Sequence, residues 1–144
     1  METVSVLLAR KRGEVLKVTP ATTVLEAARL MNQREVGSVL VMADDKLVGI
    51  FTERDLMRRV VAKDLLPGTT LVGDVMTSSL VTCAPEARIV DCNTMMSERR
   101  IRHLPVIGVD GVVAIITTGD LLAHELREQE STIHHLESFV FDGR

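Results

Sequence analysis

Hydrophobic and polar residues follow two different spacings along the first half of the chain. Short apolar runs at 16–18, 36–42 and 47–51 are typical of strands. Between the first two runs, apolar residues recur at i, i+3, i+4 and i+7 from Val24, which predicts an amphipathic helix. A second helix is predicted to begin at Thr52, directly after the third run. The predicted order of elements is β-α-β-β-α.

The second half of the chain repeats this pattern at an offset of 65 residues. Residues 16–56 align with residues 81–121 without a gap, and ten of these 41 pairs are identical. An internal repeat of this kind indicates two copies of one supersecondary unit. Its elements are expected as strands at 81–83, 104–107 and 112–116, a helix at 89–96, and a longer helix from Thr118. The predicted fold class is α/β (α+β), with tandem β-α-β-β-α repeats.

Turn-forming residues separate the two copies, because a Pro-Gly-Thr-Thr run at 67–70 predicts a linker. The predicted domains are an N-terminal segment with the first repeat at 1–64, a linker at 65–73, and the second repeat with an extended C-terminal helix at 74–144. That helix carries an apolar stripe that needs a cover. The stripe consists of Leu122, Leu126, Ile133, Leu136 and Val140. A second subunit or the N-terminal segment is the expected cover.

Composition excludes several classes of protein. The 144 residues are 46% hydrophobic, so disorder of the whole chain is excluded. Three Phe, no Trp, no Tyr and a net charge of −3 argue against a nucleic-acid partner. No apolar run could span a membrane and no signal peptide is recognisable, so we predict a cytoplasmic protein without a membrane partner. We predict core thiols at Cys83 and Cys92, solvated side chains at His124, His134 and His135, no metal site and no catalytic residue.

A Thr-x-x-Asp motif occurs in each copy where a predicted strand passes into a helix. The start of a helix offers unpaired N–H groups that suit a phosphate, and an Asp carboxylate can accept hydrogen bonds from both hydroxyls of a ribose. The same motif forms a capping box, which stabilises a helix by about 1 kcal/mol without any ligand. A threonine can cap while an aspartate binds, so both roles stay open for Thr52 and Asp55 and for Thr117 and Asp120.

The two repeats resemble a CBS domain pair, also called a Bateman module. The resemblance rests on the tandem plan, on the strands at 36–38 and 102–106, and on the turns at 49–55 and 114–120. It implies a pseudo-two-fold pair that binds an adenosine-containing ligand (AMP, ADP, ATP, NAD or S-adenosylmethionine) in the cleft between the repeats. It further implies a non-catalytic regulatory role, a homodimer and a regulated partner protein.

The resemblance also assigns ligand-binding residues in both repeats. Arg54 could clamp phosphate oxygens whereas its counterpart Gly119 could not, so we expect the first site to hold phosphates more tightly; a solvated arginine is the alternative. Arg102 and His103 are expected to meet phosphates, with a polar strand end as the alternative. The turns after the first strand of each repeat either read an adenine edge or serve only as turns. The predicted set is Thr19, Pro20, Ser38, Thr52, Arg54, Asp55, Ala84, Arg102, His103, Thr117, Gly119 and Asp120.

We therefore interpret the chain as a stand-alone CBS pair that senses an adenine nucleotide and is not an enzyme. Any output must pass through another polypeptide or through self-association, because no effector domain is recognisable. The alternative hypothesis is a ligand-free interaction module that docks a partner protein through its C-terminal helix. A panel of nucleotides separates the two hypotheses, since only the first predicts a change in thermal stability.

Overall fold

The structure is a computed structural model that describes residues 2–11 and 14–142, the last four of them by their backbone alone. Within these residues the chain is a mixed α/β protein with two small sheets and six α-helices. Its internal contacts divide it into two compact units. Of the described residues, the first-repeat unit comprises 14–82 and 109–113, and the second-repeat unit comprises 2–11, 83–108 and 114–142.

The first-repeat unit follows the predicted β-α-β-β-α order. Its elements are β1 Lys17–Val18, α2 Val24–Arg34, β2 Ser38–Ala43, β3 Lys46–Thr52, and α3 Glu53–Asp55, which continues as the π-helix Leu56–Val61. The sheet order is β1-β2-β3, with β1 parallel and β3 antiparallel to β2. Asp44 and Asp45 join β2 to β3 with φ angles of 50° and 62°. Two residues with positive φ form the type I′ turn, whose twist matches that of a hairpin.

The core of this unit lies between the sheet and α2. Three residues of the predicted helical stripe are buried there: Val24, Ala27 and Met31. Phe51 of β3 is fully buried among them. A short helix that the sequence pattern did not predict, α4 Val72–Val75, adds its two valines to the same core. Phe51, the residue before Thr52, is therefore held in this core, which fixes the end of β3.

The second-repeat unit contains α5 Ile89–Arg99, β4 His103–Gly108, β5 Gly111–Thr117 and α6 Thr118–Asp142, with β4 and β5 paired in a two-stranded sheet. The strand predicted at 81–83 is wrong. Only Cys83 pairs in this stretch, through an isolated bridge to Val106. In the first repeat the Leu40 N–H donates to Leu16 O at 2.9 Å. The residue corresponding to Leu40 is Pro105, which has no N–H to donate, so the ladder is shorter.

Each unit also contains a short helix that, in sequence, comes just before the repeat of the other unit. Helix α1, Val4–Arg10, lies before the first repeat but packs in the second-repeat unit, with Val4 and Leu7 buried. The Val4 N–H donates to Ala87 O at 2.9 Å and the Ser5 N–H donates to Pro85 O at 3.0 Å. The N-terminal segment thus contributes directly to the core of the second-repeat unit.

Helix α4 makes the corresponding contacts in the first-repeat unit. The Val72 N–H donates to Thr22 O at 2.8 Å and the Gly73 N–H donates to Pro20 O at 2.9 Å. A Cβ on Gly73 would lie 2.8 Å from Pro20 Cβ and 3.0 Å from Pro20 O. Glycine is therefore required at position 73 by this close approach.

The long helix α6 is buried only near its start. Leu121 and His124 are buried, whereas residues 125–137 are exposed on every side. Four residues of the predicted stripe are half or more exposed: Leu122, Leu126, Ile133 and Leu136. The Val140 side chain lies outside the described part of the structure. No helix in the described residues is both long and apolar enough to cross a bilayer.

Candidate functional site

In the first-repeat unit, Thr52 and Asp55 form the capping box that their spacing allows. The Asp55 N–H donates to Thr52 Oγ1 at 3.3 Å, and the Thr52 N–H donates to Asp55 Oδ2 at 3.0 Å. Both residues lie where β3 ends and α3 begins. The stabilising role of the motif is thus present without a ligand.

The Asp55 carboxylate has further partners within the protein. Its Oδ1 accepts a hydrogen bond from Thr77 Oγ1 at 2.8 Å and lies 3.7 Å from Arg59 Nε. Its Oδ2 also accepts from Thr52 Oγ1 at 3.2 Å. The Asp55 side chain is only 6% exposed. Most of the hydrogen-bonding capacity of this carboxylate is therefore used inside the protein.

The remaining predicted residues of the first repeat separate into two groups. Ser38, at the start of β2, pairs with Thr52 across the sheet, and Arg54 is exposed in the first turn of α3. The structure thus brings Ser38 and Arg54 to the capping box. Thr19 follows Val18, which pairs with Val41 of β2. Val41 lies three residues beyond Ser38, which is about 10 Å at a rise of 3.3 Å per residue. Within this unit, Thr19 and Pro20 lie at the other end of the sheet.

The turns after the first strands have internal hydrogen-bonding partners. Thr22 N–H donates to Thr19 O, and Ala87 N–H donates to Ala84 O, each at 3.0 Å. The Pro85 carbonyl accepts from both the N–H and the hydroxyl of Ser5, each at 3.0 Å. These contacts support the structural reading of the turns, while adenine binding by Thr19, Pro20 and Ala84 stays a prediction.

In the second-repeat unit, Thr117 and Asp120 form a similar cap at the start of α6. The Thr117 N–H donates to Asp120 Oδ2 at 2.9 Å, and the Asp120 N–H donates to Thr117 Oγ1 at 3.1 Å. The Asp120 side chain is 31% exposed, so solvent reaches its carboxylate more easily than that of Asp55. The two motifs therefore match in sequence but differ in accessibility.

The other predicted residues of the second repeat lie around this cap. The Arg102 carbonyl accepts the Thr118 N–H at 3.1 Å, which places Arg102 beside the first turn of α6. His103 is the first residue of β4, and Gly119 lies between Thr117 and Asp120. The structure thus brings Arg102, His103, Gly119 and the capping pair together within one unit.

Lys11 is a member of this cluster that the sequence did not reveal. Its Nζ lies 2.6 Å from Asp120 Oδ2 and also donates to the Ile115 carbonyl. Burial raises the pKa of the Asp120 carboxyl, but the hydrogen bonds from Lys11 and from Thr117 outweigh burial and leave this pKa below its ordinary value. Asp120 is therefore ionised at neutral pH. Lys11 lies outside the aligned repeats, so the alignment offered no signal for it.

The prediction of a solvated side chain at His124 is wrong, because this residue is buried, with 5% exposure. Arg10 Nη1 lies 3.3 Å from His124 Nδ1, and Glu2 Oε2 lies 2.6 Å from Nε2. A guanidinium can only donate, so Nδ1 accepts and Nε2 donates to Glu2. The side chains of Glu2, His124 and Glu128 each have a potential metal-ligand atom, and these three atoms lie within 4.8 Å of one another, a spacing that could hold a metal ion. The hydrogen bonds to Arg10 and Glu2 account for this histidine without a metal.

Both thiols are held in their protonated form. Burial raises the pKa of Cys83 to about 12, with a further contribution from Cys92, and burial also raises the pKa of Cys92. The nucleophilic form of a cysteine is the thiolate, so neither is a reactive thiol at neutral pH.

Comparison with known proteins connects both repeats to one family. The model of the CBS domain matches residues 9–62 and 72–127. The "CBS domain-containing protein CBSX3, mitochondrial" of Arabidopsis thaliana is 32% identical over 136 residues, which are 91% of this chain and 66% of that protein. The chain thus spans slightly less than two thirds of the length of this relative.

Two further proteins match over most of their length. The CBS domain-containing protein YhcV of Bacillus subtilis (strain 168) is 33% identical over 118 residues, which are 82% of this chain and 84% of that protein. The solved structure of a protein with CBS domains from Burkholderia ambifaria MC40-6 superposes with a TM-score of 0.85 at 32% identity. It covers 89% of this chain and 96% of its own.

Proposed function

The chain belongs to the CBS domain family, and from this membership we propose that it is a regulatory module that binds an adenosine-containing ligand. CBS domain proteins are generally regulatory and non-catalytic, and tandem CBS domains commonly bind adenosine ligands. AMP, ADP, ATP, NAD and S-adenosylmethionine are the ligands that we propose to test. The site residues are those gathered at the two capping motifs.

The observation that carries this proposal is the partly exposed Asp120 carboxylate at the start of α6. An ionised carboxylate can accept hydrogen bonds from the 2′- and 3′-hydroxyls of a ribose. Arg102 lies beside the first turn of α6, since its carbonyl accepts the Thr118 N–H, and His103 begins β4, so we expect the Arg102 guanidinium and the His103 ring to donate to the phosphates of the same ligand. A ribose and a phosphate could thus be bound by adjacent residues of a single unit.

The first-repeat site differs in its charges and its accessibility. Arg54 gives it a guanidinium that Gly119 cannot supply, which favours phosphate binding at the first repeat. The Asp55 carboxylate, however, is 6% exposed against 31% for Asp120, which favours ribose binding at the second repeat. We therefore propose that the two sites are unequal, with ribose binding stronger at Asp120.

Replacing Asp120 by alanine tests this assignment. We expect Asp120→Ala to weaken ATP binding roughly 10- to 150-fold, because charge-assisted hydrogen bonds are worth about 1.5–3 kcal/mol. Isothermal titration calorimetry measures the change. Asp110→Ala is the matched control, since it removes the same charge from the exposed turn before β5. Binding of ATP by Asp120→Ala as tight as by the parent protein would contradict the ribose role.

A regulatory module also needs a route for its output. Residues 125–137 of α6 are exposed on every side and include Leu126, Ile133 and Leu136. An uncovered helix of this length is marginal in water, so its apolar face is expected to be covered. We propose that a second copy of the chain covers this face, giving a homodimer. A docking role for the same helix towards a different partner protein is the second candidate function.

A further inference from the structure

We propose that Lys11 is a ligand-binding residue of the second-repeat site, where its ammonium group makes the site selective for anionic adenosine ligands over adenosine itself. The inference rests on the proposed function and names a residue outside the aligned repeats. It follows from a comparison of the groups that contact Asp120 with those that contact Asp55.

In the first-repeat unit, Thr77 satisfies two acceptors at the end of β3. The Thr77 N–H donates to Ile50 O at 2.9 Å, and the Thr77 hydroxyl donates to Asp55 Oδ1 at 2.8 Å. The corresponding acceptors in the second-repeat unit, at the offset of 65 residues, are Ile115 O and the Asp120 carboxylate. Lys11 Nζ donates to both of them. The Lys11 ammonium group thus donates to the two acceptors whose counterparts in the first-repeat unit accept from the backbone N–H and the hydroxyl of Thr77.

This exchange changes the charge of the site. Thr77 is neutral and the Arg59 guanidinium lies 3.7 Å from Asp55 Oδ1, whereas Lys11 places a positive charge 2.6 Å from the Asp120 carboxylate, in direct hydrogen-bond contact. An ammonium group has three N–H donors, so the two contacts with Ile115 and Asp120 leave one for a ligand. The Lys11 side chain is 31% exposed, so a ligand that reaches Asp120 can also reach the ammonium group.

The contribution of the Lys11 ammonium group to affinity depends on the charge of the ligand. A terminal phosphate carries about −1.5 to −2 charges at pH 7 and is repelled by an unpaired carboxylate. Lys11 cancels the charge of Asp120, and Gly119 provides no side chain that could do the same. Adenosine has no net charge, so its binding should depend little on Lys11. The effect is expected to weaken as salt screens these partly exposed charges.

Titration calorimetry of a Lys11→Met protein with adenosine, AMP, ADP and ATP tests the inference. Methionine keeps the length and the apolar part of the side chain but removes the charge. We expect the affinity for adenosine to stay within about twofold and the affinity for ATP to fall at least about tenfold at low salt. Lys11→Arg should retain the preference for ATP. Arg127→Met, with the same change in net charge about 10 Å along α6 from Asp120, should leave all four affinities unchanged.

Three results would overturn the inference, and they are distinguishable. An equal loss of affinity for adenosine and ATP would show that Lys11 only supports the fold of the site. A gain of affinity for all four ligands would show that Lys11 occupies the carboxylate in competition with them. A parent protein that binds none of the four would contradict the proposed function itself, and the role of Lys11 with it.

Discussion

Replacing Leu126 and Ile133 by glutamate is expected to convert a dimer into a monomer. Each side chain occurs twice in a symmetric dimer, and burying a Leu or Ile side chain contributes about 1.5–3 kcal/mol. Because Leu126 is 50% and Ile133 56% exposed within one chain, about half of each side chain remains to be buried, so the double variant should lose about 3–6 kcal/mol of association free energy, roughly a 150- to 25,000-fold change. Light scattering at tens of micromolar protein measures the mass directly. Glutamate is a good helix former, so α6 itself should persist.

Val109→Glu is the matched control for this variant. Val109 is fully exposed in the turn between β4 and β5, outside α6, so the protein should stay dimeric. A parent protein that scatters as a monomer, or a double variant that remains a dimer, would show that a second copy does not cover the α6 surface. Docking of a different partner would then be the better explanation of its exposure.

Replacing Asp55 by alanine is expected to lower the free energy of unfolding by about 2–4 kcal/mol. The variant removes the acceptor for the Thr52 N–H, the Thr52 hydroxyl and the Thr77 hydroxyl. Each buried donor left without a partner costs about 1–3 kcal/mol, although hydroxyl groups can rotate to new acceptors. Denaturation in urea, followed by circular dichroism, measures the loss.

Asp120→Ala provides the comparison for this loss. The Asp120 side chain is 31% exposed, so water can replace it as an acceptor, and we expect its removal to cost about 1 kcal/mol. Equal losses from the two variants would contradict the difference in burial on which the account of the two sites depends. The comparison also shows which aspartate can be replaced in binding experiments without unfolding the protein.

The tandem plan could be predicted from the sequence because hydrophobic spacing and an internal repeat are local properties of the chain. The order of elements in the first repeat is confirmed from Lys17 to Val61. The strand predicted at 81–83 is wrong because Pro105 replaces a hydrogen-bond donor on the neighbouring strand. One residue on a partner strand decided the outcome, and spacing within 81–83 contains no information about it.

The candidate site could be predicted only in part. Thr52 with Asp55 and Thr117 with Asp120 lie at strand-to-helix junctions, as the motif predicted. Their different burial was not predictable, because it depends on contacts from Thr77 and from Lys11, which lie far away in sequence. The buried position of His124 likewise depends on Glu2 and Arg10 of the N-terminal segment. Pairwise contacts of this kind leave no periodic pattern in the sequence.

Thermal unfolding of the parent protein with a panel of AMP, ADP, ATP, NAD and S-adenosylmethionine tests the central claim most directly. A ligand that binds only the folded state and is present at 100 times its dissociation constant adds about 2.7 kcal/mol of stability. At least one ligand of the panel is therefore predicted to raise the melting temperature by several degrees. A melting temperature unchanged by all five ligands at millimolar concentration would contradict the account.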